Sequence, residues 1–279
     1  MARSDGGLKP ALRRDAVKRG ESMAHRLEGT VALVTGASSG IGEAIARGLA
    51  AEGATVALLA RREVELKALA DRIASDGGQA LPVAVDVTDP VQVADAVERV
   101  ADELGRIDIA VNNAGTMFLG AVEDAPIEER QRMIDVNVYG ALYVTRAVLT
   151  HLGRAADDDL RNVADLVNIS SHGGRNAVAG SAVYNATKFA LGAFTEALRQ
   201  EVTKTHVRVA VVEPGMVATD IGQWNRPEAI DTVLNRFGRA AGPITPLQPD
   251  DVADAVTYIV TRPRHLAVNE LLLRPTEQV

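Results

Sequence analysis

The chain has 279 residues, 47% of them hydrophobic and 24% charged, with a formal net charge of −7 and no cysteine. Such a composition excludes disulfides, thiolate metal sites and a cysteine nucleophile, and it provides no basic field for collecting the phosphates of a nucleic acid. A core can be buried without covalent staples, and the cytoplasm is the expected compartment.

Residues 1–26 read as a disordered or flexible N-terminal tail, rich in Arg, Lys, Gly and Ser. They lack the run of about 7 to 15 apolar residues of a secretion signal, and nothing elsewhere approaches the roughly 18 apolar residues of a membrane span. From residue 27 onward short β-branched runs alternate with longer helical patterns. VALVT at 31–35 is followed by a helical stretch, TVALLA at 55–60 by a second that ends near Gly77, and ALPVAVDV at 80–87 by a third reaching about Glu103. Then come IDIAVNNAG at 107–115, a helix around 137–152, DLVNISS at 165–171, a helical run to about Lys204, VRVAVVEPG at 207–215, a helix near 249–260 and ELLLRP at 270–275. The strands do not alternate polar with apolar, as expected where helices cover both faces of a parallel sheet. The expected fold is α/β, a single-domain Rossmann doubly wound sheet of about seven parallel strands spanning 27–279, with its ligand crevice at the carboxyl ends of the strands. Two segments break the rhythm and read as loops: 153–165, whose acidic run Asp157–Asp159 suggests a solvated insertion, and 222–247, a candidate substrate cover.

Directly after the first strand stands Gly36-Ala37-Ser38-Ser39-Gly40-Ile41-Gly42, opening a helix. Glycines there allow a tight turn and a close backbone approach to a pyrophosphate, which the free amides and dipole of a helix start attract. An acidic residue at the end of the second strand would bind a ribose 2′-hydroxyl and favour NAD(H), but Ala60 holds that place, followed by Arg61 and Arg62. Their guanidinium groups suit a 2′-phosphate, so NADP(H) is the expected cofactor, with Arg61 the better placed of the two; Glu63 keeps an NAD(H) alternative open. Asp86-Val87 could reach an adenine, or Asp86 could cap the helix that follows. Asn113-Ala114-Gly115 ends the fourth strand, where small residues let a ribose lie close.

Tyr184 and Lys188 are four residues apart in a helical pattern and share one face, and an ammonium near a phenol favours phenolate. The pair gains meaning from Ser170-Ser171 thirteen residues earlier and from Asn137 inside a helix. With TGASSGIG, DVT, NNAG, VNVYG, NISS, YNATK and EPGMVAT in order, the chain resembles the short-chain dehydrogenase/reductase family from about Leu27 onward. That resemblance implies that Ser171 hydrogen-bonds the substrate oxygen, that Tyr184 is the general acid-base, and that Lys188 holds the nicotinamide ribose while lowering the Tyr184 pKa. It implies that Asn137 anchors a water leading to Lys188, and that Pro214, Gly215, Val217 and Thr219 border the nicotinamide. No metal is required. The implied reaction is reduction of an aldehyde or ketone, or oxidation of the alcohol, in a homodimer or homotetramer. AVYNATKF at 182–189, LRQEV at 198–202 and RPTEQV at 274–279 further resemble the NADP-dependent reductases of the clavaldehyde dehydrogenase type. His172 is either a donor to substrate or an ordinary loop histidine, and Phe118, Leu119, Met216 and Trp224 suggest an apolar pocket wall. A non-catalytic nucleotide sensor is the reading from another class, against which the presence of both Tyr184 and Lys188 speaks.

Overall fold

A computed structural model of the chain describes residues 25–237 and 244–278. The expected tail therefore lies outside the described residues except for His25 and Arg26. Arg26 departs from that expectation, because its guanidinium is pinned to Glu52 and to Thr261 Oγ1 at 3.1 Å.

Seven parallel strands form one sheet: β1 (Val31–Thr35), β2 (Thr55–Ala60), β3 (Gln79–Ala84), β4 (Ile109–Asn112), β5 (Ala164–Ile169), β6 (Val207–Pro214) and β7 (Glu270–Leu273). Their order is β3-β2-β1-β4-β5-β6-β7, so the direction of winding reverses between β1 and β4. The sheet is flanked by α1 (Gly40–Ala51), α2 (Glu63–Ser75), α3 (Pro90–Leu104), α4 (Ile127–Ile134), α5 (Ala141–Ala156), α6 (Ala182–Val202), α7 (Pro227–Phe237) and α8 (Pro249–Val260). This is the doubly wound α/β sheet the strand pattern implies.

Strand β1 shows why the strands read as unbroken apolar runs. Ala32 and Val34 pack with Ile45 and Leu49 of α1 and Val252 and Val256 of α8, whereas Val31 and Leu33 pack with Val97 of α3 and Val148 of α5. Both faces are thus withdrawn from water, and each fully buried aliphatic side chain contributes about 1.5–3 kcal/mol. At the edge of this core a charge is paired: Asp108, wholly buried, accepts from Val31 N at 2.9 Å and is held by Arg106.

The structure corrects four details. Helix α5 continues through Ala156 and leaves only a short loop before β5. Asp158 in the acidic run is no idle surface charge, since it pairs with Arg106 at 2.8 Å and so braces the Arg106–Asp108 pair. Strand β3 stops at Ala84, because Asp86 folds into a turn in which its carboxylate accepts from Thr88 N at 3.0 Å. The expected cover loop contains α7, an eleven-residue helix that buries Ala229 and Val233. It packs so tightly that a Cβ at Gly180, whose φ is +83°, would lie 2.6 Å from Val233.

Candidate active site

The reversal between β1 and β4 opens the crevice, and side chains of both strands shape it. Thr35 Oγ1 accepts from Asn113 N at 3.0 Å and Ala114 N at 3.1 Å, and Asn113 Nδ2 donates to Thr35 O at 2.9 Å. The glycine turn lies against this knot. A Cβ at Gly36 (φ +66°) would lie 2.9 Å from Ala114 Cα, and one at Gly42 would lie 2.3 Å from Gly36 O, so no side chain fits at either place. Thr219, from the loop after β6, closes the other side, its methyl 3.3 Å from the position of a Gly40 Cβ. Ser39 makes no side-chain cap on α1, so the amides of the first turn point into the crevice unclaimed by that hydroxyl.

The hydroxyls of Ser38 and Ser39 accept instead from Arg62. Its Nη2 reaches Ser38 Oγ at 2.9 Å and Ser39 Oγ at 2.7 Å, holding the guanidinium over the turn. Arg61 is exposed and faces Asp86. Burial pushes the Asp86 carboxyl up, but the hydrogen bonds from Thr88 and the charges of Arg61 and Arg132 outweigh it and hold the pKa below the ordinary value. Sequence pattern favoured Arg61 over Arg62, whereas the geometry joins Arg62 to the turn and Arg61 to the β3 exit. Capping of α3 falls to Asp89, whose carboxylate accepts from Val91 N and Gln92 N, so Asp86 is not its cap. Val87 packs against Gly140, and Glu63 is taken by Lys67 at 2.6 Å.

At the ends of β4 and β5 a chain of amides crosses the sheet. Asn112 Nδ2 donates to Asn168 Oδ1 at 2.9 Å and Asn168 Nδ2 to Thr195 Oγ1 at 2.8 Å, anchoring α6 to the strands. Asn137 sits in a π-helical turn, Asp135–Gly140, rather than in the regular helix the sequence suggested. Such wide turns recur at functional sites because they re-aim one side chain. Asn137 accepts from Thr116 N at 2.8 Å and donates to Thr116 O at 2.9 Å and Thr187 Oγ1 at 3.0 Å, tying the β4 exit to α6. A Cβ at Gly115 would lie 3.5 Å from Asn137 Oδ1 and 3.6 Å from Lys188 Nζ, so Gly115 keeps open the space between them.

The two serines after β5 separate in role. Ser170 Oγ donates to Lys188 O at 3.1 Å and is structural, whereas Ser171 hydrogen-bonds Tyr184. Tyr184 is 8% exposed and Lys188 4% exposed. Lys188 Nζ donates to Ile169 O at 2.9 Å and lies 5.9 Å from the Tyr184 ring centroid. Burial raises the Tyr184 pKa, with the Ser171 hydrogen bond opposing it, and burial lowers that of Lys188 to about 8. Burial is thus the larger effect on Tyr184 and favours the neutral phenol, with the Ser171 hydrogen bond acting against it.

The crevice is covered by the segment before α7. Asn225, 9% exposed, accepts from Leu119 N and donates to Met117 O and Gly222 O, each at 3.0 Å. Ion pairs Arg226–Glu129 at 2.9 Å and Arg236–Glu123 at 2.6 Å fasten α7 to the α4 region. Asn225 and these ion pairs carried no sequence signal, since an asparagine or a surface ion pair has meaning only across the fold. A cavity of about 640 Å³ around His206, Arg208 and Arg264 lies at the opposite end of β6 and shares no residue with this site. Among the described residues no group of three or more His, Cys, Asp or Glu could hold a metal ion, and no helix is long and apolar enough to cross a membrane.

Residues 30–229 match the model of the short chain dehydrogenase family. The chain belongs to the short-chain dehydrogenase/reductase family. This short-chain dehydrogenase/reductase is 39% identical over 253 residues to a glycine betaine reductase of Emericella nidulans, covering 90% of the chain but only 19% of that longer protein. It is 37% identical to an uncharacterized oxidoreductase of Staphylococcus aureus, over 88% of the chain and 96% of the relative. Among solved structures, a metagenomic short-chain oxidoreductase in complex with NADP superposes with a TM-score of 0.74 at 32% identity, covering 90% of this chain and 99% of the other. The chain is accordingly an oxidoreductase of this family on a Rossmann-like fold.

Proposed function

We propose that the chain is an NADP(H)-dependent oxidoreductase that reduces an aldehyde or ketone, or oxidises the corresponding alcohol, with Tyr184 as general acid-base. The carrying observation is the buried Tyr184, hydrogen-bonded to Ser171, with Lys188 one turn along α6. A buried phenol is the group needed to protonate an oxygen as charge builds on it. Ser171 donates a second hydrogen bond to that oxygen, so the charge is shared between two donors. Lys188, still mostly protonated at neutral pH with a pKa of about 8, supplies the positive field that stabilises the resulting tyrosinate and holds the cofactor ribose. Asn137 anchors a water that relays a proton toward Lys188.

The cofactor, when bound, supplies the hydride. The cradle fits it: Gly36 and Gly42 leave no room for a side chain in the turn, and Ser38, Ser39, Gly40 and Ile41 open a helix whose first amides suit a pyrophosphate. Arg62, clasped by Ser38 and Ser39, and Arg61 beside it give a 2′-phosphate two guanidinium groups. Asp86 and Val87 border the adenine, Asn113, Ala114 and Gly115 the ribose, and Pro214, Gly215, Val217 and Thr219 the nicotinamide.

The likeness of 182–189, 198–202 and 274–279 to clavaldehyde dehydrogenase-type reductases favours an aldehyde as substrate, held under the 222–247 cover. Exposed Tyr139 and Phe189 favour a homodimer or homotetramer built on α5 and α6. A panel of aldehydes and ketones followed by NADPH oxidation, run beside Tyr184→Phe, tests the reading. Equal turnover by the two proteins would overturn it.

A further inference from the structure

The proposed mechanism makes no use of the segment that follows β7, yet that segment reaches the site. Gly215 N donates to Leu273 O at 2.6 Å, carrying the pairing of β6 and β7 onto the turn assigned to the nicotinamide. The chain then doubles back, Gln278 N donating to Pro275 O at 3.0 Å, and brings the half-buried Gln278 side chain between two loops. Its Oε1 accepts from Met216 N at 2.8 Å, and its Nε2 donates to His172 Nδ1 at 3.4 Å. His172 is buried next to Ser171, and its other ring nitrogen lies 2.8 Å from the Asn176 amide. The approach is close enough that a Cβ at Gly215 would lie 2.2 Å from Gln278 Oε1 and 3.0 Å from Pro275. Gly215, read from sequence as a cofactor glycine, is thus also the residue that admits Gln278.

We propose that Gln278 is a positioning residue that ties the Gly215–Met216 turn to His172, so that the turn facing the nicotinamide and the loop carrying Ser171 hold one fixed spacing. This rests on the reading of the Tyr184 cleft as a hydride-transfer site, where the donor turn and the oxygen-binding serine must agree to within a fraction of an ångström. A carboxamide suits the place because it offers an acceptor to a backbone N–H and a donor to a ring nitrogen at once. A carboxylate keeps only the acceptor, and an ammonium or guanidinium only the donor. The cationic group facing His172 is Arg274, which together with the larger effect of burial holds the imidazole below its ordinary pKa.

The full chain with Gln278→Ala and with Gln278→Glu tests the proposal through kcat on the best aldehyde of the panel, NADPH affinity by fluorescence, and NMR titration of the His172 ring. Gln278→Ala is expected to lower kcat about tenfold while the NADPH Kd moves by no more than about threefold, because spacing rather than binding is lost. Gln278→Glu keeps the acceptor for Met216 N–H and, with the proton of His172 moved to Nδ1, regains the second bond in the reverse direction, so it recovers most of kcat while its carboxylate moves the His172 titration up by about one unit. Unchanged kcat in Gln278→Ala, equal loss in both variants, or an unmoved His172 titration in Gln278→Glu overturns the proposal. The NMR arm needs no turnover, so failure of the contact is distinguishable from failure of the Tyr184 reading.

Discussion

Lys188 Nζ donates to Ile169 O while standing 5.9 Å from the centroid of the Tyr184 ring, so the end of strand β5, not the phenol, fixes where the ammonium sits. The charge acts on Tyr184 through space from a position that remains when the phenol proton leaves. Lys188→Met should therefore keep the fold but lose about 10²–10⁴ in kcat, the range for removing support from a general acid-base group. Steady-state kinetics with NADPH, beside the circular dichroism of both proteins, checks this.

The depressed pKa of Lys188 has a stability consequence with a definite sign. Between about 8, its value in the folded chain, and its ordinary 10.5, the unfolded chain binds a proton that the folded chain does not. Stability contributed by this group should accordingly rise with pH across that window, and the cost of burying the charge should be fully present below it. Urea unfolding of the chain without cofactor at pH 8 and pH 10 should show a gain that Lys188→Met lacks. A difference of the opposite sign would contradict the burial of a charged amine.

At the adenosine end, Arg62→Ala removes the guanidinium that Ser38 and Ser39 hold in place, and Arg61→Ala removes the one facing Asp86. Arg62→Ala is expected to weaken NADPH binding about 10–100-fold, the 1.5–3 kcal/mol of a charge-assisted hydrogen bond, and to leave NADH binding within about twofold. Arg61→Ala should have the smaller effect because no side-chain hydrogen bond preorganises it among the described residues. Fluorescence titration with both cofactors separates the two arginines.

Gly42→Ala places a methyl 2.3 Å from Gly36 O, against backbone that cannot yield. Overpacking of this kind costs about 1–3 kcal/mol and here falls on the cofactor turn. Both the melting temperature and the NADPH affinity should drop, whereas Gly192→Ala on α6, with open space around it, should leave the affinity unchanged and the melting temperature unchanged or higher.

Asn225 fastens the cover through three backbone partners. Asn225→Ala leaves those groups unpaired and should raise KM for the carbonyl substrate several-fold, at about 1–3 kcal/mol of local stability. Limited proteolysis should cut faster between Gly222 and Pro227 in the variant than in the parent chain.

Much of this arrangement is legible in the sequence. The bounds of β1 and β2 emerge to the residue, because apolar runs stand between Gly29 and Gly36 and between Gly53 and the charged Arg61, and Tyr184 and Lys188 are marked by their spacing and Ser171 by its place just beyond a strand. The structure separates what composition could not. Ser170 and Ser171 are identical in type and adjacent, yet only the fold turns one toward Lys188 O and the other toward Tyr184. Arg61 and Arg62 differ in the same way, since the choice depends on where Ser38 and Ser39 lie after the turn is made. Helix α7 is hidden because Trp224, Pro227 and the polar residues around them read as a loop, and its apolar face shows only once Gly180 offers a groove for Val233. Gln278 lies 106 residues from its partner His172, a separation at which local patterns carry no information.

The paired amides of Asn112 and Asn168 have an effect on assembly of the sheet. These two residues stand opposite one another in β4 and β5, whose other facing positions are mostly aliphatic and interchangeable by shape. A slip of one residue between the strands would turn each side chain to the other face and strand both amides in hydrocarbon, at a cost of about 1–3 kcal/mol for each unpaired group. The asparagines thus act as an alignment key during folding. Leucine at both places would remove that key and leave the strands free to settle with Ser171, just beyond β5, displaced by one step.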